Sequence, residues 1–218
     1  MNLRKIGVLC GIVGPILWLL LIIVAGTVRP EFSHVAQYIS ELGERGSSTE
    51  YMMRYAAFGL TGLLYLSFAT ALLAIFRGGR LSAVAAALIG LDGLGRIGAG
   101  VFACDLGCEG LSTNQELHRL FATIGFLSGV LAAVVWGITF KQYRFLQRYA
   151  NYSIWSGILA LVFLLLMSWS SNPVNAPGLF EHLATGLLSL WILVFATTLM
   201  RTPEQHLERS TLEHGNFG

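Results

Sequence analysis

Charge is scarce in this chain. Only 12% of its 218 residues are charged, whereas a soluble globular domain carries about 25%. The formal net charge is +2, and no run of Lys and Arg is long enough to follow a phosphate backbone. Nucleic acid is therefore excluded as a partner. Cysteine is scarce as well. Cys10, Cys104 and Cys108 make no zinc-finger spacing, and no HExxH motif pairs two histidines on one helix face.

What is abundant is apolar. Hydrophobic residues make up 55% of the chain and the mean hydropathy is +0.66. Six stretches reach the roughly 20 apolar residues that a bilayer crossing needs: 6–28, 54–76, 81–103, 117–140, 151–171 and 179–200. Lipid offers backbone N–H and C=O groups no partner, so each stretch must be helical. Arg4 and Lys5 precede the first run as they would in a signal peptide, but 6–28 exceeds the usual apolar region of about 7–15 residues. The expectation is an uncleaved first span. The fold class is thus an all-α polytopic bundle of six transmembrane helices, with a membrane domain over 1–203. A polar tail follows over 204–218, and its His206 and His214 belong to a frayed end.

Loop charge gives the orientation. Arg4, Lys5, Arg77, Arg80, Lys141, Arg144, Arg148, Arg201 and Arg209 fall on one side, and only Arg29, Arg45, Arg54 and Arg119 on the other. The positive-inside rule then puts both termini in the cytoplasm of a multi-pass protein of a prokaryotic inner membrane. Ser47-x-x-Glu50 and Thr113-x-x-Glu116 read as capping boxes at the outer starts of helices two and four. Arg77-Gly78-Gly79-Arg80 reads as a tight inner turn. Pro173, Pro177 and Gly178 punctuate the last outer loop. The glycines of helix three, Gly90 to Gly100, suit close helix approach and place it centrally in the bundle. Lipid or core packing accounts for Trp18, Trp136, Trp155, Trp169 and Trp191.

Candidate chemistry gathers at the outer ends of the spans. In EFSHVAQYISELGER, Glu31 to Arg45, a helix would set His34, Tyr38 and Glu41 on one face. His34, His118 and His182 each lie near a carboxylate among Glu41, Asp105, Glu116 and Glu181. Imidazole with carboxylate suits a Zn²⁺ site, with His34, His118 and His182 as the metal ligands. It also suits general acid/base hydrolysis of a lipid ester, amide or phosphodiester. The bland alternative is a wet loop region that collects polar residues. Asp92 and Arg96 lie inside span three at i, i+4. A mid-membrane charge costs about 2.5–3.5 kcal/mol, so the pair is either a packing device or part of a proton or substrate path. Cys104 and Cys108 flank Asp105 in ACDLGC, where an oxidising compartment would join them as a disulfide that pins the loop. Ser33 and His34 are adjacent and do not face each other on a helix, which makes a nucleophile pair there a weak reading.

Pro30, Ser33-His34, Ile39-Ser40-Glu41-Leu42-Gly43, Phe102, Asp105, Gly107-Cys108, His118 and Gly178-Leu179-x-Glu181 together resemble the DUF998 family of six-span prokaryotic membrane proteins. The resemblance implies a six-helix membrane protein with its shared polar residues on the outer face, and no activity. His182 stands where the pattern leads one to expect arginine. A looser likeness is to ceramidase and adiponectin-receptor type membrane hydrolases, whose Ser, Asp and three His are imitated by Ser33 or Ser40, Asp105, His34, His118 and His182.

The reading that follows is an outer polar site that binds or hydrolyses a lipid-like molecule. Asp105, His118, Glu41 and His34 serve as catalytic candidates. Ser33, Tyr38, Ser40, Asp92, Arg96, Glu181 and His182 serve as binding candidates. The rivals are a small transporter or sensor that uses Asp92–Arg96, and a non-catalytic assembly partner. The partners in view are membrane lipids, a lipid-like small molecule, a second copy of the chain or another membrane protein.

Overall fold

The computed structural model describes residues 3–169 and 176–203. The tail histidines His206 and His214, and Pro173, lie outside the described residues. Six helices cross the molecule: α1 Leu3–Val28, α2 Met52–Ile75, α3 Arg80–Val101, α4 Thr113–Phe140, α5 Ala150–Ser168 and α6 Pro177–Arg201. Each is part of a span long and apolar enough to cross a membrane, and among the described residues there is no strand. The chain is an integral, multi-pass membrane protein. Its spans begin and end within a few residues of the hydropathy boundaries, because one physical limit, the apolar thickness of the bilayer, sets both.

Each helix packs against its neighbours in the chain, and α1 closes the ring on α6. Helix α3 therefore stands between α2 and α4 and not on a central axis. Its glycines do bring the neighbours close. A Cβ at Gly95 would strike the backbone of Gly125, and one at Gly98 would strike the Phe121 ring. Leu19, Leu20, Ile23, Val24, Leu63, Leu131 and Leu165 point away from the bundle, as side chains facing lipid should. Towards the end with the short turns, Phe195 meets Trp136 and Phe140 at 4.8 Å between ring centroids, and Phe76 adds to the cluster. Both Trp136 and Trp191 are fully buried in this core.

The α1–α2 and α3–α4 connections share the opposite end with the start of α6. Arg45 N–H bonds to Cys104 O, and Leu179 N–H to Val35 O. Local structure there departs from expectation in three places. Glu31 to Arg45 is not a helix; it is a run of turns followed by a short 3₁₀ segment, Ile39–Gly43, because side chains take over its backbone groups. The cap of α4 is Ser112, whose Oγ accepts from Gln115 N–H, and Thr113 is the first helical residue. Ser47 donates to Leu42 O instead of capping, while Glu50 reaches back to Gly46 N–H. The first part of α2, Met52–Leu60, is wound as a wide π-helix, a form that frequently marks functional sites.

The close crossing of α3 and α4 yields a test. Gly98→Val should destabilise the protein by about 1–3 kcal/mol through overpacking, read as a lower melting temperature in detergent. Gly186→Val, where an added Cβ meets nothing within 4 Å, should leave it unchanged. Equal melting temperatures would refute the packing account.

Candidate functional site

The loops of the polar end are built around buried side chains that bond to backbone. Arg29, just past α1, donates through Nη1 to Glu41 O at 2.6 Å and through Nη2 to Glu44 Oε1 at 3.1 Å. The other oxygen of Glu44 accepts from Gly107 N–H at 2.6 Å, which joins the first loop to the α3–α4 loop. Arg54 donates to Gly100 O and Val101 O at 2.9 Å, and so caps the last carbonyls of α3. Its Nη1 lies 2.6 Å from Glu50 Oε1. The Gly46 N–H bond, followed by Arg54, holds the Glu50 carboxyl below its ordinary pKa.

Beneath these loops lies a cavity of about 40 Å³ lined from α1, α2, α3, α4 and α6. One water needs about 10–15 Å³ on this measure, so the space suits about three. Asp92, Arg96, His118, Glu181, Ser40 and Thr185 contribute its polar lining, and Trp18, Phe58 and Phe126 are among its apolar walls.

His118 is 5% exposed. Its Nδ1 lies 2.9 Å from both Ala99 O and Phe102 O. Both oxygens only accept, so Nδ1 carries a proton, and in the neutral ring Nε2 keeps a lone pair. Glu181, also 5% exposed, accepts from Ile39 N–H at 2.7 Å through Oε2. Among the described residues no Lys or Arg pairs with it, and Oε1 has no hydrogen bond. The Asp92 carboxylate accepts from Arg96 Nε at 3.0 Å. The Arg96 guanidinium also sits 4.7 Å from the Trp18 ring and 4.6 Å from the Tyr65 ring, an arrangement favourable to a desolvated cation.

The structure thus gathers Asp92, Arg96, Ser40, His118 and Glu181 around one space. It does not bring Asp105 or Glu41 there by any bond. Asp105 accepts from the N–H and Oγ of Ser112, and its own N–H bonds to Gln115 Oε1. Glu41 accepts from Tyr38 N–H and Gln37 Nε2 at 2.8 Å. Ser33 Oγ accepts from Ala36 N–H on an exposed turn. His34 and His182 meet each other, Nδ1 to Nε2 at 2.9 Å, beside the Phe32 ring. They form no group of three with His118. Tyr38 lies between these clusters. Burial, then the carboxylates of Glu181, Glu41 and Glu109, push its phenol above the ordinary tyrosine value, against the pull of Arg119. Cys104 and Cys108 are joined as a disulfide with Cα atoms 5.0 Å apart.

Trp18 and Phe58 had no sequence signal beyond packing, and Thr185 none at all. The bracing roles of Arg29, Glu44 and Gln115 were equally silent, since each depends on a partner at least seven residues away.

A family model described as a protein of unknown function, DUF998, matches residues 12–198. The chain belongs to the DUF998 family. Comparison with curated proteins and with solved structures finds no match. Of the DUF998 pattern residues in this chain, Ser40, His118 and Glu181 line the cavity, while Glu41 and Asp105 fasten the loops above it.

Two outcomes are expected. Asp92→Ala strands Arg96 and should cost about 3–5 kcal/mol, whereas Asp92→Ala with Arg96→Met should recover most of it. Additive losses in unfolding experiments would refute the pairing. For Glu50 the folded pKa is depressed, so its contribution is present above the unfolded value and lost as pH falls through the folded one. Wild type should exceed Glu50→Gln by about 1 kcal/mol at pH 7, with the gap closing below about pH 5. A melting-temperature gap that does not narrow as the pH falls below about 5 would contradict this.

Proposed function

We propose that this DUF998 protein binds a lipid-like amphiphile at the polar end of its bundle and cleaves an ester or amide bond in it by acid–base chemistry. The observation behind this is the meeting, in one partly apolar cavity, of a basic imidazole nitrogen, a buried carboxyl without a cation and a fixed guanidinium. The positive-inside expectation would put this end outside the cytoplasm.

In this reading Trp18, Phe58 and Phe126 accept the apolar part of the ligand, and the Arg96 cation favours the oxygen that gains negative charge. His118 Nε2 removes a proton from a water as its oxygen attacks the carbonyl carbon. The carbonyl carbon–heteroatom bond then breaks, and the leaving group takes a proton from His118 or Glu181. The zinc route foreseen through His34, His118 and His182 would need those rings together. The acid–base route uses groups that already share the cavity. A cavity of about 40 Å³ holds only the reacting fragment, so the remainder of the ligand must lie toward lipid or displace the lining.

A second reading, proton movement, is favoured by the same size. A few waters between Glu181, His118 and Asp92 would make a relay.

The test is a screen of acyl ester and amide lipids in detergent, with purified wild type, His118→Asn, Glu181→Gln and Ser33→Ala. Turnover should fall by about 10²-fold or more in the first two variants and be unaltered in the third, with all three folded. Turnover that survives His118→Asn would sink the acid–base assignment. Binding without turnover in wild type would leave a lipid-binding protein. Neither binding nor turnover, with His118-dependent proton flux in liposomes, would favour the relay.

A further inference from the structure

The disulfide and the cavity imidazole are neighbours. Cys104 Sγ, Cys108 Sγ and a ring nitrogen of His118 all lie within 4.8 Å of one another, and all three residues are buried. Two sulfurs and one imidazole are a donor set for a thiophilic divalent cation. Bond lengths of about 2.3 Å to sulfur and 2.0 Å to nitrogen put such donors about 3.3–3.8 Å apart around one ion. Shifts of about 1 Å, once the sulfurs are no longer bonded to each other, would meet that requirement.

We propose that, when the disulfide is reduced, Cys104, Cys108 and His118 bind one Zn²⁺-like cation at the roof of the cavity. Three features prepare the site. The His118 ring is already oriented by Ala99 O and Phe102 O, the backbone support that metal-ligating imidazoles commonly have. The α3–α4 loop is tied down independently of the disulfide, by Glu44 to Gly107 N–H, by Gln115 Nε2 to Cys108 O and by Arg45 N–H to Cys104 O. It should therefore keep its place when the S–S bond opens. Finally, Cys104 Sγ lies 3.5 Å from Ser40 O. In the disulfide that sulfur has no proton to donate, but as a thiol it would have an acceptor already in range.

The chemistry balances with a dithiol reductant. Its two thiols become a disulfide as Cys104–Cys108 becomes two thiols, a transfer of two electrons. The cation then displaces two protons, one from each thiol, and takes the imidazole lone pair. Three protein donors leave a fourth position open, as in catalytic zinc sites. The same ring would be a free base in the oxidised protein and a metal ligand in the reduced one. The proposal concerns metal binding and stands whether or not the protein hydrolyses anything.

The experiment uses full-length protein in detergent with Cys10→Ala, so that the only thiols after reduction are Cys104 and Cys108. Protein reduced with dithiothreitol and desalted without oxygen is titrated with Co²⁺. One Co²⁺ per chain is expected, with a near-ultraviolet thiolate-to-cobalt charge-transfer band that Zn²⁺ then abolishes. The oxidised sample should show neither, and His118→Ala should bind at least tenfold more weakly. A reduced sample without the band overturns the proposal, as does undiminished affinity in folded His118→Ala. Unfolding of the wild-type chain on reduction, read by size exclusion, overturns it too, because a preformed site requires the loop to persist. Alkylation of the two thiols in reduced protein must abolish the band whatever the variant does; a band that survives alkylation also overturns it.

Discussion

The position of Arg96 constrains most of this protein. A guanidinium inside a membrane span must find a counter-charge and a surface to lie on. Here α3 supplies Asp92 one turn earlier, α1 supplies Trp18 and α2 supplies Tyr65. Satisfying one cation therefore ties three helices together. The lining of the cavity follows. Asp92 and Arg96 cannot face lipid, so α3 must turn this face inward, and the glycines on its other contacts let α2 and α4 close around it. The polar floor of the cavity is thus a consequence of where a charge can be tolerated.

The roof obeys a different rule. Loops at a membrane surface expose backbone N–H and C=O groups, and each buried one needs a partner. Glu41, Glu44, Glu50, Asp105 and Gln115 serve as those partners, and Arg29 and Arg54 answer the carbonyls. This explains why so many carboxylates at one end of the bundle are taken up by hydrogen bonds of the loops. A carboxylate that accepts two hydrogen bonds from its own loop is a structural strut. Glu181 differs because it accepts one hydrogen bond, from Ile39 N–H, and lines the cavity.

Much of the architecture was legible in the residues. Span number and position follow from bilayer thickness and backbone satisfaction, which act on every apolar run alike. That polar and ionisable side chains such as His118, Glu181, Asp105 and Glu41 would gather near one set of span ends was legible for the same reason. What distinguished His118 and Glu181 from Asp105 and Glu41 was not. All four sit near span ends, and the difference is that Asp105 and Glu41 each accept two hydrogen bonds from their own loop, whereas Glu181 accepts one from a distant loop and His118 lies against backbone carbonyls. That is fixed by turns such as the one at Gly107, with φ +66°, which no periodicity encodes. The Glu31–Arg45 stretch failed as a helix on the same account, since Gln37 and Glu41 bond to nearby N–H groups and compete with helical bonding. Depth was also hidden. Asp92–Arg96 looked like a mid-membrane pair apart from the surface cluster, yet two turns of α3 carry the lining from Asp92 to Ala99 and so to His118.

Glu181 connects the two halves of the structure. Its Oε2 holds Ile39 N–H, and two residues earlier Leu179 N–H holds Val35 O, so α6 and the first loop meet along this line. Gly178 permits the approach, since a Cβ there would run into Gln37 O. The His34–His182 contact closes the same seam from outside. Any group in the cavity that draws Glu181 away from Ile39 must loosen that seam, and any motion of the first loop must alter what Glu181 presents to the cavity. Occupancy of a space this small and the position of the loop above it are therefore one coupled equilibrium. A ligand larger than a few waters can enter only as far as its own contacts offset the loss of that hydrogen bond, at about 0.5–3 kcal/mol.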